Sequence, residues 1–557
     1  TARAQRAVED AQGQIKPVYP ILFCRHCGQD YYAVQTAFAG DDSGSGDKVL
    51  VPLAEEEADV DEDEEETEEG GPGGRRVGYW VADPEGELWD EDDPTRLPDT
   101  WLQFRDNGSV RVSPYYEAYL PKALWVYPDG RIAPEGAPGA VRGWLLPKPF
   151  RLCLRCGVAY STRRNEFAKL GELGQAGRST ATTVVAKAII DDLRAQLPDD
   201  AKAHKLMSFT DSRQDASLQA GHFNDFVLMA RLRAALVKAL ESAPGYALAY
   251  DELAEAVVDA LNLAPEEYTK VVEGPALEFA RSALRNVVEY LLYADLAHGW
   301  RFVQPNLEQV GLLEVRFVGL EEFCQDHPRW ERNPILRSAT PAKRYEVIRA
   351  VLDYMRQELA LTASVFDPDR QNKIKAQAEA NLRPEWQFKA EYLGERMLER
   401  RMFVTKSGGR STNDRIRRLT PRSALGRYLS RASTWGLPRH LADAEAQALI
   451  ADLLAILEGT YLERVREHRE EGFRVRHAML RWCLGPGIPP KPSPVRQLRM
   501  RSAAADIDVP PIDYFLNLYR QDPSAFKGLE AREHTGQVAS DRRVERENRF
   551  NHGTLPL

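Results

Sequence analysis

Two stretches of the same form, FCRHCG at 23–28 and LCLRCG at 152–157, constrain this chain more than any other feature. Each places two cysteines two residues apart with a glycine behind them. That spacing lets both thiolates of a tight turn face one tetrahedral ion, and the glycine relieves the backbone where amides point at sulfur. Cys24, Cys27, Cys153 and Cys156 therefore predict a structural zinc site whose four positions are all taken by sulfur. A redox dithiol at either pair, His26 in place of a cysteine, or four unrelated buried cysteines are the other readings. The 125 residues between Cys27 and Cys153 far exceed the roughly 15 to 20 of an ordinary zinc ribbon, so the intervening chain must fold back on itself. It contains two hairpin signals, QFRDNGSVRV and LWVYPDGRIA, each with an Asn-Gly or Asp-Gly turn between strand-like runs. The other two cysteines, Cys324 and Cys483, are isolated and read as packing residues.

Six cysteines in 557 residues argue against a disulfide framework and for a reducing compartment. The start, TARAQRAVEDAQGQIK, lacks the apolar core of a secretory signal, and no run approaches the roughly 18 apolar residues of a membrane span. A cytoplasmic protein without a membrane partner is the expectation. The missing initial Met and the apolar ending NHGTLPL suggest that both ends lie inside a longer protein.

The net charge of −10 is unevenly spread. Between Asp41 and Thr100 there are 23 acidic and 4 basic residues, a local −19, so the remainder carries +9. The centre of this patch, 55–76, has no periodic apolar positions and reads as a solvated, disordered loop, with an acidic mimic or partner tail as the alternative.

Beyond Gly157 the pattern becomes α/β. GRSTATTVVAKAIIDDLRAQL offers Ser179 or Thr180 as an N-cap, and Val184, Val185, Ala188, Ile189 and Leu193 on one helical face. KLMSFT (205–210) reads as a short buried strand, and Ser212 with Asp215 forms an S-x-x-D capping box for a helix carrying Ala216, Ala220, Phe223, Val227, Ala230 and Ala234. Helix, strand, polar tip and helix form a doubly wound unit, in which ligands bind beyond the carboxyl ends of strands.

The tip LMSFTDSRQDA resembles the fourth motif of superfamily 2 DEAD/DEAH-box helicases, at the first strand of their second RecA-like domain. EHTGQVASDRRVERENRFNHGTLPL (533–557) resembles the next block of that domain. With the four cysteines upstream, the chain is similar to large prokaryotic helicase-like proteins, among them Lhr-like, repair and antiphage-defence relatives. The likeness covers about a quarter of the chain, near 20–30, 150–235 and 530–557. It implies an α/β fold made of a partial RecA-like domain, a β-rich four-cysteine zinc segment and a large, mainly helical insertion. It also implies nucleic-acid backbone contacts from Thr210, Ser212, Arg213, Gln214, His534, Thr535 and Gln537. Capping, strand-end or buried structural roles are the plainer alternatives for these side chains.

A helicase also needs a phosphate-cradling loop and a D-E-x-H box to hold ATP and Mg²⁺, and neither is in this sequence. In the family they lie in the preceding domain, and the arginine finger lies in a later segment. The chain thus holds no catalytic residue of its own: the parent would be the ATP hydrolase, and this part inactive alone. The remaining helicase core and repair or defence subunits are the implied partners, with DNA favoured over RNA. A non-motor zinc-containing nucleic-acid-binding or scaffolding subunit is the rival reading.

The expected organisation is a zinc segment over 1–156, the start of the RecA-like domain over 157–235, an insertion over 236–525, and the continuation of the domain over 526–557. The insertion shows helical periodicity in YDELAEAVVDAL, ALEFARSALRNVVEYLLYADL, AKRYEVIRAVLDYMRQELAL and DAEAQALIADLLAIL. Its most basic stretch, 396–431, has eleven Lys or Arg and two acids. It suggests a winged-helix-like part within 342–432 that sets arginines on phosphates, or else a solvated basic surface. FRVRHAMLRW and KPSPVRQLRMR extend the same charge.

Overall fold

The computed structural model describes the chain except 1–6, 10–14, 25–28, 39–47, 54–76, 85, 87, 90–96, 98–100, 105–109, 156–159, 161–168, 173–175, 210–212, 272, 298–303, 389–399, 406–414, 422, 468–469, 492, 496–512, 536–537 and 557. The acidic centre 55–76 and the Gly-Gly loop of the basic stretch thus lie outside the described residues. The rest is a mixed α/β fold that divides into two compact units, one ending at Arg178 and the other beginning at Ser179.

The first unit is built on an eight-stranded antiparallel sheet of β1 (Ile21–Cys24), β2 (Asp30–Phe38), β3 (Lys48–Pro52), β4 (Val77–Ala82), β5 (Lys122–Val126), β6 (Ile132–Ala133), β7 (Val141–Pro147) and β8 (Leu170–Glu172). Its order is β6-β5-β7-β4-β2-β1-β8, with β3 also on β2. The two-residue period of these strands buries both faces. Tyr31, Tyr79, Val81, Trp144 and Leu146 enter one cluster, and Val34, Trp80 and Leu145 enter another. Both hairpin signals are present: Leu102–Phe104 pairs with Val110–Val112, and β5 with β6. The second turns at Gly130, whose φ of +90° suits glycine. The chain between the two cysteine pairs does fold back, and β1 and β8 bring Cys24 beside Leu170.

The second unit gathers its helices around one continuous core. α1 (Ala176–Gln196) begins ahead of Ser179 and Thr180, and its buried face is turned from the expected one. Thr183, Ala186, Lys187 and Ile190 are buried, while Val185 and Ile189 are exposed. Lys187 is tolerated inside because Asp191, one turn on at 2.5 Å, and the Gln521 amide oxygen receive its ammonium. α2 (Arg213–Ser242) is mostly buried between Phe223 and Leu240 and packs mainly on helices, among them α3 (Tyr250–Leu261), rather than lying on a sheet. The segment 205–209 between α1 and α2 belongs to no sheet, contrary to the expected buried strand. Its one ladder-like bond runs from the Leu206 amide to Pro556 O at 2.7 Å, so Met207 and Phe209 are exposed, Phe209 at 87%.

All four helical readings of the insertion hold, as α3, α4 (Pro275–Asp295), α5 (Pro341–Gln357) and α7 (Asp443–Leu457), with α6 (Pro368–Asn381) also formed. They share the core of α1 and α2. Two small sheets complete the unit. One is β9 (Ala247–Ala249), β15 (Leu480–Leu484) and β10 (Leu313–Phe317), in that order. The other is β12 (Ile416–Arg418), β11 (Met402–Val404), β14 (Glu470–Val475) and β13 (Leu462–Glu467). β11 pairs β12 in parallel, which no antiparallel wing hairpin does, so the basic stretch is not a winged-helix wing. Cys324 and Cys483 are buried packing residues, as expected, and burial pushes the Cys324 thiol up to about 12. No helix among the described residues is long and apolar enough to cross a membrane.

The core of this unit holds the Arg233 guanidinium, which meets both Asp295 oxygens at 2.9 and 2.6 Å and the Tyr519 hydroxyl at 2.7 Å. Arg233→Met strands the Asp295 carboxylate and should cost about 3–5 kcal/mol in urea unfolding. A loss below about 1 kcal/mol would show that the network is dispensable.

Candidate functional site

A cavity of about 630 Å³ opens where α1, segment 205–209, the first turns of α2, the turn 531–535 and the terminal helix α8 (Ser540–Asn551) meet. The apolar periodicity of α2 supplies its floor through Ala216, Ala220 and Phe223. Its rim is polar, with Ser208, Gln219, His534, Thr535 and Arg546. Several long-range bonds hold these segments together. The Asn224 side chain accepts from the Ala531 amide at 2.8 Å and donates to its carbonyl at 2.9 Å, standing in for a neighbouring strand. Lys205 donates to Phe550 O at 3.0 Å and lies over the Phe550 ring. Arg546 donates to Glu533 O, and Arg549 pairs with Glu530.

The electrostatics follow from this crowding. Burial alone would raise the Glu530 carboxyl, yet Arg549 and Arg532 hold it below the usual range. Burial, followed by repulsion from Arg532, depresses Arg546, and Arg542 one turn away adds to it, so three guanidinium groups share this corner. Thr183 on α1 makes a 3.0 Å hydrogen bond with His222 Nδ1 beside the floor.

The predicted residues divide as follows. His534 is exposed, 3.4 Å from Glu547, and is not a buried structural histidine. Thr535 is half-buried, and its carbonyl accepts from the Val538 amide at 3.1 Å. Both border the cavity opposite the 206–209 segment, over three hundred positions away in sequence. Arg213 and Gln214 open α2, but their side chains lie outside the described residues. Thr210, Ser212 and Gln537 lie wholly outside them. Sequence reasoning missed Asn224, Lys205 and Arg546. For Arg546 a signal existed: Arg542, Arg546 and Arg549 recur at helical spacing along one face of α8.

In the first unit, Cys24 and Cys153 are buried. The Tyr31 hydroxyl donates to Cys153 Sγ at 3.3 Å and accepts from the Leu154 amide at 3.0 Å. Burial, then the neighbouring Cys153 sulfur, push that phenol well above its ordinary value. Tyr160 Oη is 3.8 Å from Cys24 Sγ. Cys27 and Cys156 lie outside the described residues, among which no group of three metal-binding side chains occurs. The two cysteines that are described supply buried sulfur, a donor type that suits zinc.

Four arginines of the basic stretch are paired with carboxylates from elsewhere in the second unit. Arg400 pairs with Asp367 and Glu467, Arg401 and Arg417 with Glu358, and Arg418 with Glu470. Arg474 of FRVRHAMLRW is buried on Glu467. These arginines are committed to carboxylates rather than presented as a bare phosphate track. Set against protein-family models, curated proteins and solved structures, the chain matches none.

Because the Glu530 carboxyl is depressed on folding, its contribution is present above the unfolded value of about 4.3 and is lost as pH falls through the folded one. Glu530→Gln should cost about 1.5–3 kcal/mol and speed hydrogen exchange in α8 at neutral pH. Wild type should approach the variant as pH drops below about 4; equal protection of α8 in both proteins at pH 7 would contradict this.

Proposed function

We propose that the groove bordered by α1, α2 and α8 grips the sugar–phosphate backbone of a DNA strand, and that the chain is the strand-holding part of a superfamily 2 helicase-type translocase. The observation that carries this reading is the meeting of His534, Thr535 and Arg546 with the first turns of α2 around one cavity. Hydroxyl, imidazole and guanidinium donors beside a helix N-terminus suit phosphate oxygens and read no base sequence. Thr210, Ser212, Arg213, Gln214 and Gln537 belong to the same two segments, and the reading gives them the same role. Segments 205–242 and 531–556 then form part of a RecA-like domain, and the helices between them are its insertion.

ATP and Mg²⁺ belong to motifs this sequence does not contain, so its own residues bind and orient the strand and do not transfer phosphate. Cys24, Cys27, Cys153 and Cys156 would hold one zinc ion in a closed set of four thiolates, which stabilises the first unit and leaves no open position for substrate. The burial of Cys24 and Cys153 in one core cluster supports that assignment. The setting is the cytoplasm, with the remaining helicase core and repair or defence subunits as partners.

Fluorescence anisotropy on a labelled single strand across a salt series tests the groove. Arg542→Ala should reduce the slope of log affinity against log salt by about 0.7, and His534→Ala with Thr535→Val should weaken binding about tenfold whatever the base sequence. Binding that all three substitutions leave unchanged would refute the reading. Elemental analysis should find about one zinc per chain, lost in Cys24→Ser with Cys153→Ser together with thermal stability of the first unit. Zinc retained by that double variant would exclude the four-cysteine site.

A further inference from the structure

A second cavity, of about 510 Å³, lies within the same unit, and Arg532 lines both it and the groove. Its volume is that of a small-molecule site. α2 and α4 supply an apolar floor through Val227, Leu228, Val287 and Leu291. Opposite them the segment 383–388 presents Trp386 and Phe388, and Phe526 closes a third side. All three rings are at least nine-tenths buried. Phe388 is held edge-on by Tyr290, with ring centres 5.2 Å apart.

The polar groups are few and fixed. Arg231 donates one terminal nitrogen to Glu267 at 3.1 Å. Glu267 is itself held by the Ala264 amide and by Lys527, each at 3.1 Å, so the pair has little freedom. The Arg231 Nε is buried and meets no acceptor among the described residues. A buried donor left unmet costs about 1–3 kcal/mol, which an incoming acceptor would recover. Carboxylates outnumber guanidinium groups six to four among the lining residues, so the cavity disfavours a phosphate and accepts N–H donors.

We infer that this cavity binds a planar, uncharged heteroaromatic ring with both acceptors and N–H donors on its edge, a nucleobase. The ring lies among Trp386, Phe388 and Phe526, its acceptor takes the Arg231 Nε–H, and its N–H groups face carboxylates such as Glu385. The base comes either from a free nucleoside or from a strand lying in the neighbouring groove, and only the second source rests on the backbone-binding reading.

Isothermal titration of the whole chain with adenosine, guanosine, cytidine and thymidine tests the chemistry. At least one should saturate with a Kd below about 1 mM, and Arg231→Gln and Glu385→Gln should each weaken it about tenfold in protein that still unfolds cooperatively in urea. Trp386→Phe, read by tryptophan fluorescence, should abolish most of the nucleoside-induced quenching while retaining binding. To separate the sources, a normal strand is compared with an abasic strand of equal length. If the base belongs to a strand, Arg231→Gln weakens only the normal strand, whereas Arg542→Ala weakens both. If it belongs to a free nucleoside, Arg231→Gln leaves both strands unchanged and still loses the nucleoside. No saturation by any nucleoside, with Arg231→Gln silent on both strands, overturns the inference; loss of all strand binding with nucleoside binding intact would instead remove the backbone reading alone.

Discussion

The guanidinium of Arg233 is the constraint around which the second unit is arranged. A charge in an apolar core is tolerated only when its donors are met. Asp295 at the end of α4 meets two of them, and Tyr519, which in turn donates to Pro305 O at 2.8 Å, meets a third. One side chain thus fixes α2 against α4 and against a segment nearly three hundred positions away. With α2 fixed, Asn224, nine residues earlier on the same helix, is placed to clamp Ala531. That clamp positions the turn bearing His534 and Thr535.

Arginine serves the rest of this unit in the same way. Arg344, Arg356 and Arg474 are buried, and each is met by carbonyls or carboxylates from other segments. A stretch that looks strongly cationic in one dimension becomes, in three, a set of ion pairs with Glu358, Asp367, Glu467 and Glu470. Local charge counts therefore overstate its field, whereas beside the groove burial, followed by repulsion from Arg532, depresses Arg546.

Much of this fold was legible in the sequence where the signal was local. The periodicity of YDELAEAVVDAL and DAEAQALIADLLAIL marks α3 and α7 to the residue, and the Asp-Gly turn marks the β5–β6 hairpin. What was not legible depends on distant partners. Lys187 faces inward because Asp191 and Gln521 receive it, and this rotates α1 away from the face that Val185 and Ile189 suggested. The segment 205–209 has the composition of a buried strand, but composition does not supply neighbours, and a single bond to Pro556 leaves Phe209 in solvent. The site was half legible: the His534–Thr535 turn was found by resemblance, while Asn224 and Lys205 make contacts that no spacing rule reveals.

Arg532 stands between two cavities, paired with both Glu530 and Glu385. A side chain that forms part of two walls cannot move in favour of one without reshaping the other. Ligands on its two sides would therefore be thermodynamically linked, each altering the affinity of the other by the same factor, with the Arg532 ion pairs as the element both must bias. The second unit has in this one residue the means to make occupancy of one cavity conditional on occupancy of the other.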